Sequence, residues 1–402
     1  MKKFICFLFL IVAIDTMAFA NEVNNRSSFA KNATLQACVK GDNLFVAFAD
    51  NNGYEICYWF CPTMANKLFT FHSVGYRKTK AFSPSVEGIA TDSKMTWLNS
   101  ATSDNIGAIY MKKGGWLGGN HLVDNIRTAV TKSVKIMADD YALTESNGRV
   151  NCHQVTVVVE NDILDPSSAV TASGTYSKKM LTETVHYKIT ENTIEVTLYH
   201  SFAKGVANTI NRYYGMQSMF RGEDKIMTPR GPYTDFTIKD KVNSFNNTYY
   251  PKFDRFIEMN STNGWCQASH LLSDGIGDHR YVGNKNNFIT TEYNKNYHVL
   301  IMNMPVNEGT SYMWRGVYSW FRPLVNNKKV LVYASVLNGK KVLYVDAKRA
   351  CNTTFSLPDD WVGKGKKVQI AKTDNGLKLS VDSRSRVRVT ATQAASGILK
   401  CD

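Results

Sequence analysis

The sequence has few of the features that would tie this chain to a membrane or to a disulfide framework. After residue 20, no segment approaches the roughly 20 uninterrupted apolar residues that span a bilayer, so no stable membrane insertion is expected. Cysteine is sparse, with eight in 402 residues, and one of them, Cys6, lies in the N-terminal apolar run. The seven others cannot all pair, which excludes a small disulfide scaffold. The sequence still allows one or two disulfides, and Cys351 with Cys401 is the first pair to test.

Several catalytic signatures are missing as well. There is no G-x-S-x-G elbow, no H-E-x-x-H and no phosphate-binding glycine loop before a lysine and a hydroxyl, which disfavours nucleotide chemistry and zinc proteolysis. A loop at 270–280 suggests a metal, but its ligand types match no established spacing. We therefore predict no cofactor, and nothing in the sequence supports a structural calcium. That loop contributes His270, Asp274, Asp278, His279 and Arg280.

The N-terminus has the pattern of an export signal. Lys2 and Lys3 precede the apolar run "FICFLFLIVAI", and "MAFA" ends in a small-x-small cleavage site after Ala20. We therefore assign residues 1–20 to a signal peptide and expect a secreted or periplasmic protein. The net charge of +14 favours an anionic partner. Export makes nucleic acid an unsuitable target and favours an acidic polysaccharide or oligosaccharide, although a basic protein that is simply soluble explains the charge equally well. The oligomeric state stays open.

Strand patterns dominate the rest of the chain. Apolar runs surround Asn-Gly turns in "NLFVAFADNNGYEICYWF", "KVLVYASVLNGKKVLYVDA" and "KKVQIAKTDNGLKLSVD", which predicts three hairpins. A fourth hairpin is predicted in "TVHYKITENTIEVTLYHSF" by side-chain alternation. The segment from residue 121 to 143 fits a loop, a strand or a short helix. The predicted fold is mostly β, a large antiparallel β-sandwich of supersandwich or jelly-roll type. We place the main domain at residues 21–324 and a small C-terminal β module, or outer layer, at 325–402.

The stretch "KKGGWLGGNHLVDN", residues 112–125, is the first candidate for a binding site. Glycines permit tight turns, and here they flank one flat apolar ring and two polar side chains. Such a loop suits the rim of a sugar-binding groove, or it is a structural turn whose histidine bonds a nearby carbonyl. The side chains in question are Trp116, Asn120 and His121.

Two neighbouring segments alternate between apolar and polar faces. In the hairpin near residue 190 the polar parity carries His186 and Lys188, which form either a glycan-binding surface or a solvated outer face. His200 falls on the apolar parity and fits a core histidine, unless a bulge in "YHSF" turns it outward. The next strand divides its candidates between two faces, and a later aromatic stretch adds groups that stack on sugars or close the core. These last candidates are Arg212 and Tyr214 on one face, Tyr213 and Gln217 on the other, and Trp314 and Arg315.

In "SDNIGAIYMKKGGWLGGNHLVDN", "YHSF" and "NRYYGMQSMF", the chain resembles secreted bacterial β-sandwich polysaccharide lyases and the related galactose-mutarotase-like sandwiches. The resemblance implies β-elimination from a uronic acid, which needs a neutralised carboxylate, a base and an acid. On that basis Asn120 and His121 hold or deprotonate the uronate, and Arg212 offsets its charge. Tyr214 exchanges protons with the glycosidic oxygen, and Trp116 stacks under a sugar. His200 is kept as a further catalytic candidate; the other candidates would bind substrate.

Two other classes of function use the same groups. A non-catalytic glycan-binding or surface-assembly protein would need the aromatic and basic side chains but no turnover. A glycoside hydrolase or sugar epimerase would need a carboxylate, or a histidine with a glutamate, in the groove. Saturated products or anomeric exchange would distinguish these enzymes from a lyase.

Overall fold

The strands of this protein form antiparallel sheets, which confirms the mostly β prediction. The computed structural model describes residues 33–50, 52–79, 83–98, 108–220, 225–228, 234–236, 250–251, 254–260, 262–272, 288–292, 295–363 and 365–401. Within those ranges the helical elements are two 3₁₀ turns, Glu145–Asn147 and Asp359–Trp361. In the same ranges no helix has the length and apolar character of a membrane-spanning segment.

Thirty-two strands make up the described chain. The first sixteen are β1 Leu35–Lys40, β2 Asn43–Ala49, β3 Tyr54–Thr63, β4 Leu68–Lys78, β5 Thr96–Trp97, β6 Ile109–Met111, β7 Gly115–Leu117, β8 Leu122–Val123, β9 Ile126–Arg127, β10 Ala129–Ala138, β11 Tyr141–Ala142, β12 Arg149–Cys152, β13 Val155–Leu164, β14 Lys179–Thr190, β15 Thr193–Phe202 and β16 Ala207–Ser218. The others are β17 Lys225–Thr228, β18 Thr234–Phe236, β19 Tyr250–Pro251, β20 Arg255–Met259, β21 Cys266–Leu271, β22 Phe288–Glu292, β23 Lys295–Asn307, β24 Ser311–Phe321, β25 Val325–Asn326, β26 Val330–Leu337, β27 Lys340–Ala347, β28 Cys351–Ser356, β29 Val368–Thr373, β30 Leu377–Val381, β31 Arg386–Ala391 and β32 Ala395–Cys401.

A ten-stranded sheet forms the centre of the molecule, in the order β11-β10-β13-β14-β15-β24-β21-β20-β17-β18. One face packs on two six-stranded sheets, β12-β1-β2-β3-β4-β5 and β19-β22-β23-β16-β6-β7. Alternate residues of β24 make both contacts: Trp320 and Tyr318 meet rings of the first sheet, and Trp314 donates to Tyr213 of the second. The sandwich core lies between these layers.

The alternation in β14 and β15 confirms the predicted hairpin. The residues of the apolar parity, Val185, Tyr187 and Ile189, are fully buried, and so is Leu198 on the paired strand. The hairpins β2–β3 and β26–β27 also form around their Asn-Gly turns. The segment after residue 121, which fitted several structures, forms the short strands β8 and β9 and the long strand β10.

The prediction of a third Asn-Gly hairpin is wrong. Strand β29 pairs with β32 and strand β30 pairs with β31, so the turn at Asn375 and Gly376 carries the chain from one sheet to another. The reason is burial: Leu377 and Leu379 of β30 pack into the core between the two sheets, whereas β29 is almost entirely exposed. The turn signal is local, and the packing of these leucines decides the pairing.

Strands β25–β32 form two sheets, which we call the C-terminal module. A five-stranded sheet, β25-β26-β27-β32-β29, packs on a three-stranded sheet, β28-β31-β30, around a core of its own. The other face of the five-stranded sheet packs on the ten-stranded sheet, where the ring of Phe321 stacks on Tyr333 at 4.0 Å. The module is therefore a further pair of layers on the outer side of the sandwich.

Cys351 and Cys401, the first pair to test, are not joined by a disulfide. None of the seven cysteines in the described part of the chain takes part in a disulfide. Burial raises the pKa of Cys61 to about 11 and that of Cys152 to about 12, which leaves both as unreactive thiols near neutral pH.

The interface between sandwich and module contains a buried charged network. The guanidinium of Arg255 in β20 makes two bonds to Asp346 in β27, at 2.7 and 3.0 Å, and a third to Ser396 Oγ at 2.7 Å. Beside it, His270 Nδ1 lies 2.7 Å from the hydroxyl of Tyr344. Burial lowers the pKa of His270; Asp254 opposes the shift, whereas Arg255 and Lys372 reinforce it.

This environment predicts a loss of stability in mild acid. The pKa of histidine is about 6.5 when unfolded, and the folded pKa of His270 is lower, so below pH ~6.5 the unfolded state binds the extra proton. The free energy of unfolding should fall by up to about 1.4 kcal/mol per pH unit there. Urea unfolding at pH 7.5 and 5.5 would measure it, and His270→Gln should flatten the dependence. An unchanged slope in that variant would contradict the assignment.

Candidate functional site

The glycine-rich stretch forms two tight turns around strand β7. Gly114 and Gly115 precede Trp116 with φ of 114° and 77°, and Gly118 and Gly119 follow it with φ of 72° and 48°. All four lie in the left-handed region, where a side chain would be strained. The glycines are therefore required by the backbone path that brings Trp116 out at the end of the β6–β7 hairpin.

A buried asparagine, which the sequence analysis missed, holds this loop in place. Asn66 is fully buried, and its Nδ2 donates to the carbonyls of Gly119 at 3.0 Å and His121 at 2.8 Å. Its Oδ1 accepts from the backbone N–H groups of Thr128 at 2.9 Å and Ala129 at 3.2 Å. One amide thus joins the end of the glycine loop to the start of β10.

Replacing Asn66 with alanine should loosen the loop. The change leaves buried carbonyl and N–H groups without partners, so a loss of about 1–3 kcal/mol in the free energy of unfolding is expected. Chemical denaturation followed by tryptophan fluorescence would measure it. The matched control is Asn120→Ala. Asn120 is exposed and accepts from the N–H of Ala65 at 3.0 Å, so its loss should cost less than about 1 kcal/mol. Equal losses in both variants would contradict the role of Asn66.

Four rings come together at this loop and are called the Trp116 cluster: Tyr110, Trp116, His121 and Tyr214. The ring of Trp116 is stacked with all three others, at centroid distances of 5.1 Å to Tyr110, 5.3 Å to His121 and 5.5 Å to Tyr214. Tyr110, which the sequence analysis did not single out, faces Trp116 across the β6–β7 pair and is 36% exposed. The cluster therefore presents a partly open aromatic surface.

A cation borders the Trp116 cluster. Arg212 Nη1 lies 3.1 Å from the hydroxyl of Tyr214, and its guanidinium carbon lies 5.9 Å from the centre of that ring. Strand pairing places Arg212 opposite Tyr110. The structure thus brings Trp116 and His121 together with Arg212 and Tyr214, which lie 91 to 98 residues further along the chain.

Three of the candidate binding residues lie in the core instead. Tyr213 and Trp314 are fully buried and bonded to each other at 2.8 Å, and Gln217 is 4% exposed. Tyr213 points inward because it follows Arg212 directly along β16, so the two occupy opposite faces. These three side chains therefore close the sandwich and do not meet a polymer.

His200 is also a core residue, which corrects its place among the catalytic candidates. It is 1% exposed, and its Nε2 lies 2.9 Å from Glu183 while its Nδ1 lies 2.7 Å from the hydroxyl of Tyr312. Glu183 also accepts from Asn161. Strand β15 pairs in regular register with β14 through His200, so no bulge turns the ring outward.

Three other candidates lie on a second surface. His186 and Lys188 project from β14 on the outer face of the ten-stranded sheet, and Arg315 joins them from β24, opposite Thr197. Arg315 donates to Asn338 of the C-terminal module at 2.7 Å. The structure does not bring these residues to the Trp116 cluster.

Within the described ranges, no group of three or more histidine, cysteine, aspartate or glutamate side chains is arranged to hold a metal ion. His270, which was predicted to lie in a loop, lies in strand β21 and contacts Tyr344 and Asp254. The rest of that loop, Asp274, Asp278, His279 and Arg280, lies outside the described residues, as do the signal peptide residues 1–20.

The cluster combines side chains that stack, bind anions and transfer protons. Aromatic faces stack on the apolar faces of sugar rings, and a guanidinium binds a carboxylate through two parallel hydrogen bonds. A phenol and an imidazole can each accept or donate a proton. The arrangement therefore places a stacking surface, an anion-binding group and two proton-transfer groups side by side.

No protein-family model and no curated protein matches the sequence. Among solved structures, the chain is similar to an α-galactosidase from Lactobacillus brevis, with 9% identity and a TM-score of 0.39 over 71% of this chain and 40% of that one. A heparinase III gives 10% identity and a TM-score of 0.31, covering 79% of this chain and 41% of that one. A chondroitin AC lyase from Streptomyces coelicolor gives 9% and 0.21, covering 89% and 48%. The resemblance to lyases and galactosidases is weak, and the chain spans less than half the length of these structures.

Proposed function

We propose that this protein is exported and cleaves an acidic polysaccharide by β-elimination at the Trp116 cluster. The observation that carries the proposal is the contact of Arg212 with the hydroxyl of Tyr214, at 3.1 Å, beside the stacked rings of Trp116 and His121. The positive net charge of the chain supports an acidic substrate.

Each chemical step of the elimination is assigned to a side chain in or beside the cluster. Arg212 neutralises the uronate carboxylate, which makes the C5 proton more acidic. Tyr214 or His121 removes that proton, and its electron pair forms the C4–C5 double bond as the bond from C4 to the glycosidic oxygen breaks. The leaving oxygen takes a proton from the other of these two side chains. Trp116 and Tyr110 support the neighbouring sugars.

The test is an absorbance assay for the unsaturated uronate. Purified protein would be offered a panel of uronic acid polysaccharides over a range of pH, with a neutral glucan as control. A rise in absorbance with one or more acidic members, and none with the glucan, is expected. If reducing ends form without the absorbance, the reaction is hydrolysis, which contradicts the proposal.

Binding without turnover is the second candidate function. It is favoured by the low exposure of Tyr214, 5%, because the rings of the cluster cover much of its surface. A binding protein would be slowed by an acidic polysaccharide in affinity electrophoresis. It would produce neither new reducing ends nor a double bond.

A further inference from the structure

The C-terminal module carries a basic surface on its three-stranded sheet. In the order β28-β31-β30, inward side chains such as Phe355, Val387 and Leu379 are buried in the module core. The alternate residues of all three strands are exposed. We call this surface the basic face, and it consists of Asn352, Thr354, Ser356, Lys378, Ser380, Arg386, Arg388 and Thr390, with Arg384 at its end.

Strand register arranges these residues as a grid. Arg388 lies between Thr354 and Ser380 on the two flanking strands, and Thr390 lies opposite Lys378. Same-face residues along a strand are about 7 Å apart, and neighbouring strands are about 4.8 Å apart. The grid therefore places cations and hydroxyl donors at close, regular intervals on one face of the sheet.

The charged side chains of the basic face are all cationic, and at one end a carboxylate lies beside them. Asp382 accepts from Arg386 at 3.0 Å, and both side chains are about half exposed. Among the described residues, neither Arg388 nor Lys378 makes an ion pair. The rest of the basic face therefore offers its cations to a partner in solution.

We propose that the basic face is a second docking surface for an acidic polysaccharide, separate from the Trp116 cluster. Charge complementarity selects a polyanion, and the hydroxyl and amide groups beside the cations suit a polymer rich in hydroxyls. The face has no aromatic ring, whereas single-stranded nucleic acid is held largely by stacking on such rings. The polymer class is that of the proposed function, on which this inference rests. The new surface would hold the chain of a substrate while another part of it is cleaved.

The experiment compares two charge reversals in the full-length protein. Lys378→Glu/Arg388→Glu alters the basic face, and Lys132→Glu/Lys135→Glu alters two exposed lysines of β10 by the same net charge. Binding of polygalacturonate would be measured by affinity electrophoresis at low and high salt, with dextran and a single-stranded oligodeoxynucleotide as further probes.

The basic-face variant should bind polygalacturonate about 10-fold more weakly at low salt and lose much of its salt dependence. The β10 variant should change less than about 2-fold. Equal losses in the two variants would overturn the proposal, because they would reflect net charge alone. Oligodeoxynucleotide binding as tight as that of polygalacturonate, and equally sensitive to the basic-face variant, would also overturn it.

Failure of the proposed function has a different signature. If the protein forms no unsaturated product but the basic-face variant still loses binding, the docking surface stands and the elimination does not. If the variant cleaves both polymer and short oligosaccharide like the wild type and binds like it, the docking surface is excluded and the elimination stands.

Discussion

Tyr214→Phe should reduce the rate of β-elimination by about 10²–10⁴-fold, because it removes the hydroxyl that exchanges protons and keeps the ring. The stack on Trp116, at 5.5 Å between ring centres, does not need that hydroxyl, so the cluster should stay assembled. Turnover on a responsive polysaccharide would give the rate, and affinity electrophoresis would give binding, which should change only a few-fold.

Tyr110→Phe is the matched control for this prediction. Tyr110 lies in the same stack, 5.1 Å from Trp116, and has no role in the proposed proton transfers. Its rate should stay within about 3-fold of the wild type, since only a surface hydroxyl is lost. If both variants lose activity equally, the cluster acts only as a support for the sugar and Tyr214 is not the acid or base.

Arg255→Met should lower the free energy of unfolding by about 3–5 kcal/mol. Asp346 is fully buried, and without Arg255 its carboxylate would be left in the interface with much of its compensation removed. Urea denaturation at neutral pH would measure the loss. The double variant Arg255→Met/Asp346→Leu should recover most of it, because it replaces both charges with apolar groups.

The control for this pair is an exposed ion pair of the same kind. Arg386 and Asp382 are also 3.0 Å apart but about half exposed, so Arg386→Met should cost less than about 1 kcal/mol. If Arg255→Met lowered the free energy of unfolding no more than Arg386→Met does, water would reach the interface and the buried network would contribute little to holding the module.

Local patterns predicted much of the fold. Side-chain alternation is a property of a single strand, so the faces of β14 and β15 and two of the three hairpins with Asn-Gly turns followed from neighbouring residues alone. The partner strands of β29 and β30 could not be predicted from neighbouring residues, since their pairing depends on a core built from distant strands. The same limit applies to His200: its parity indicated the core, but its bonds to Glu183 and Tyr312 depend on two other strands.

The candidate site was less accessible to sequence reasoning. Glycines and aromatic residues marked the loop around Trp116, and alternation placed Arg212 and Tyr214 on one face. Their meeting is a tertiary contact that no spacing encodes. Asn66 carried no signal at all, because a buried asparagine that bonds backbone groups looks like any polar residue of the turn after β3. Tyr110 could have been found, as it stands two residues before the lysines that open the glycine stretch.

One feature of the ten-stranded sheet bears on how the protein reaches its native state. Strands β15 and β24 pair at the middle of the sheet although more than a hundred residues separate them. Loop-closure entropy must be lost before that pairing gives any stabilisation, so refolding should be slow, as in other proteins of high contact order. Until β24 docks, β15 is an uncovered edge that can recruit strands from neighbouring molecules, and dilute conditions should favour recovery of the native fold.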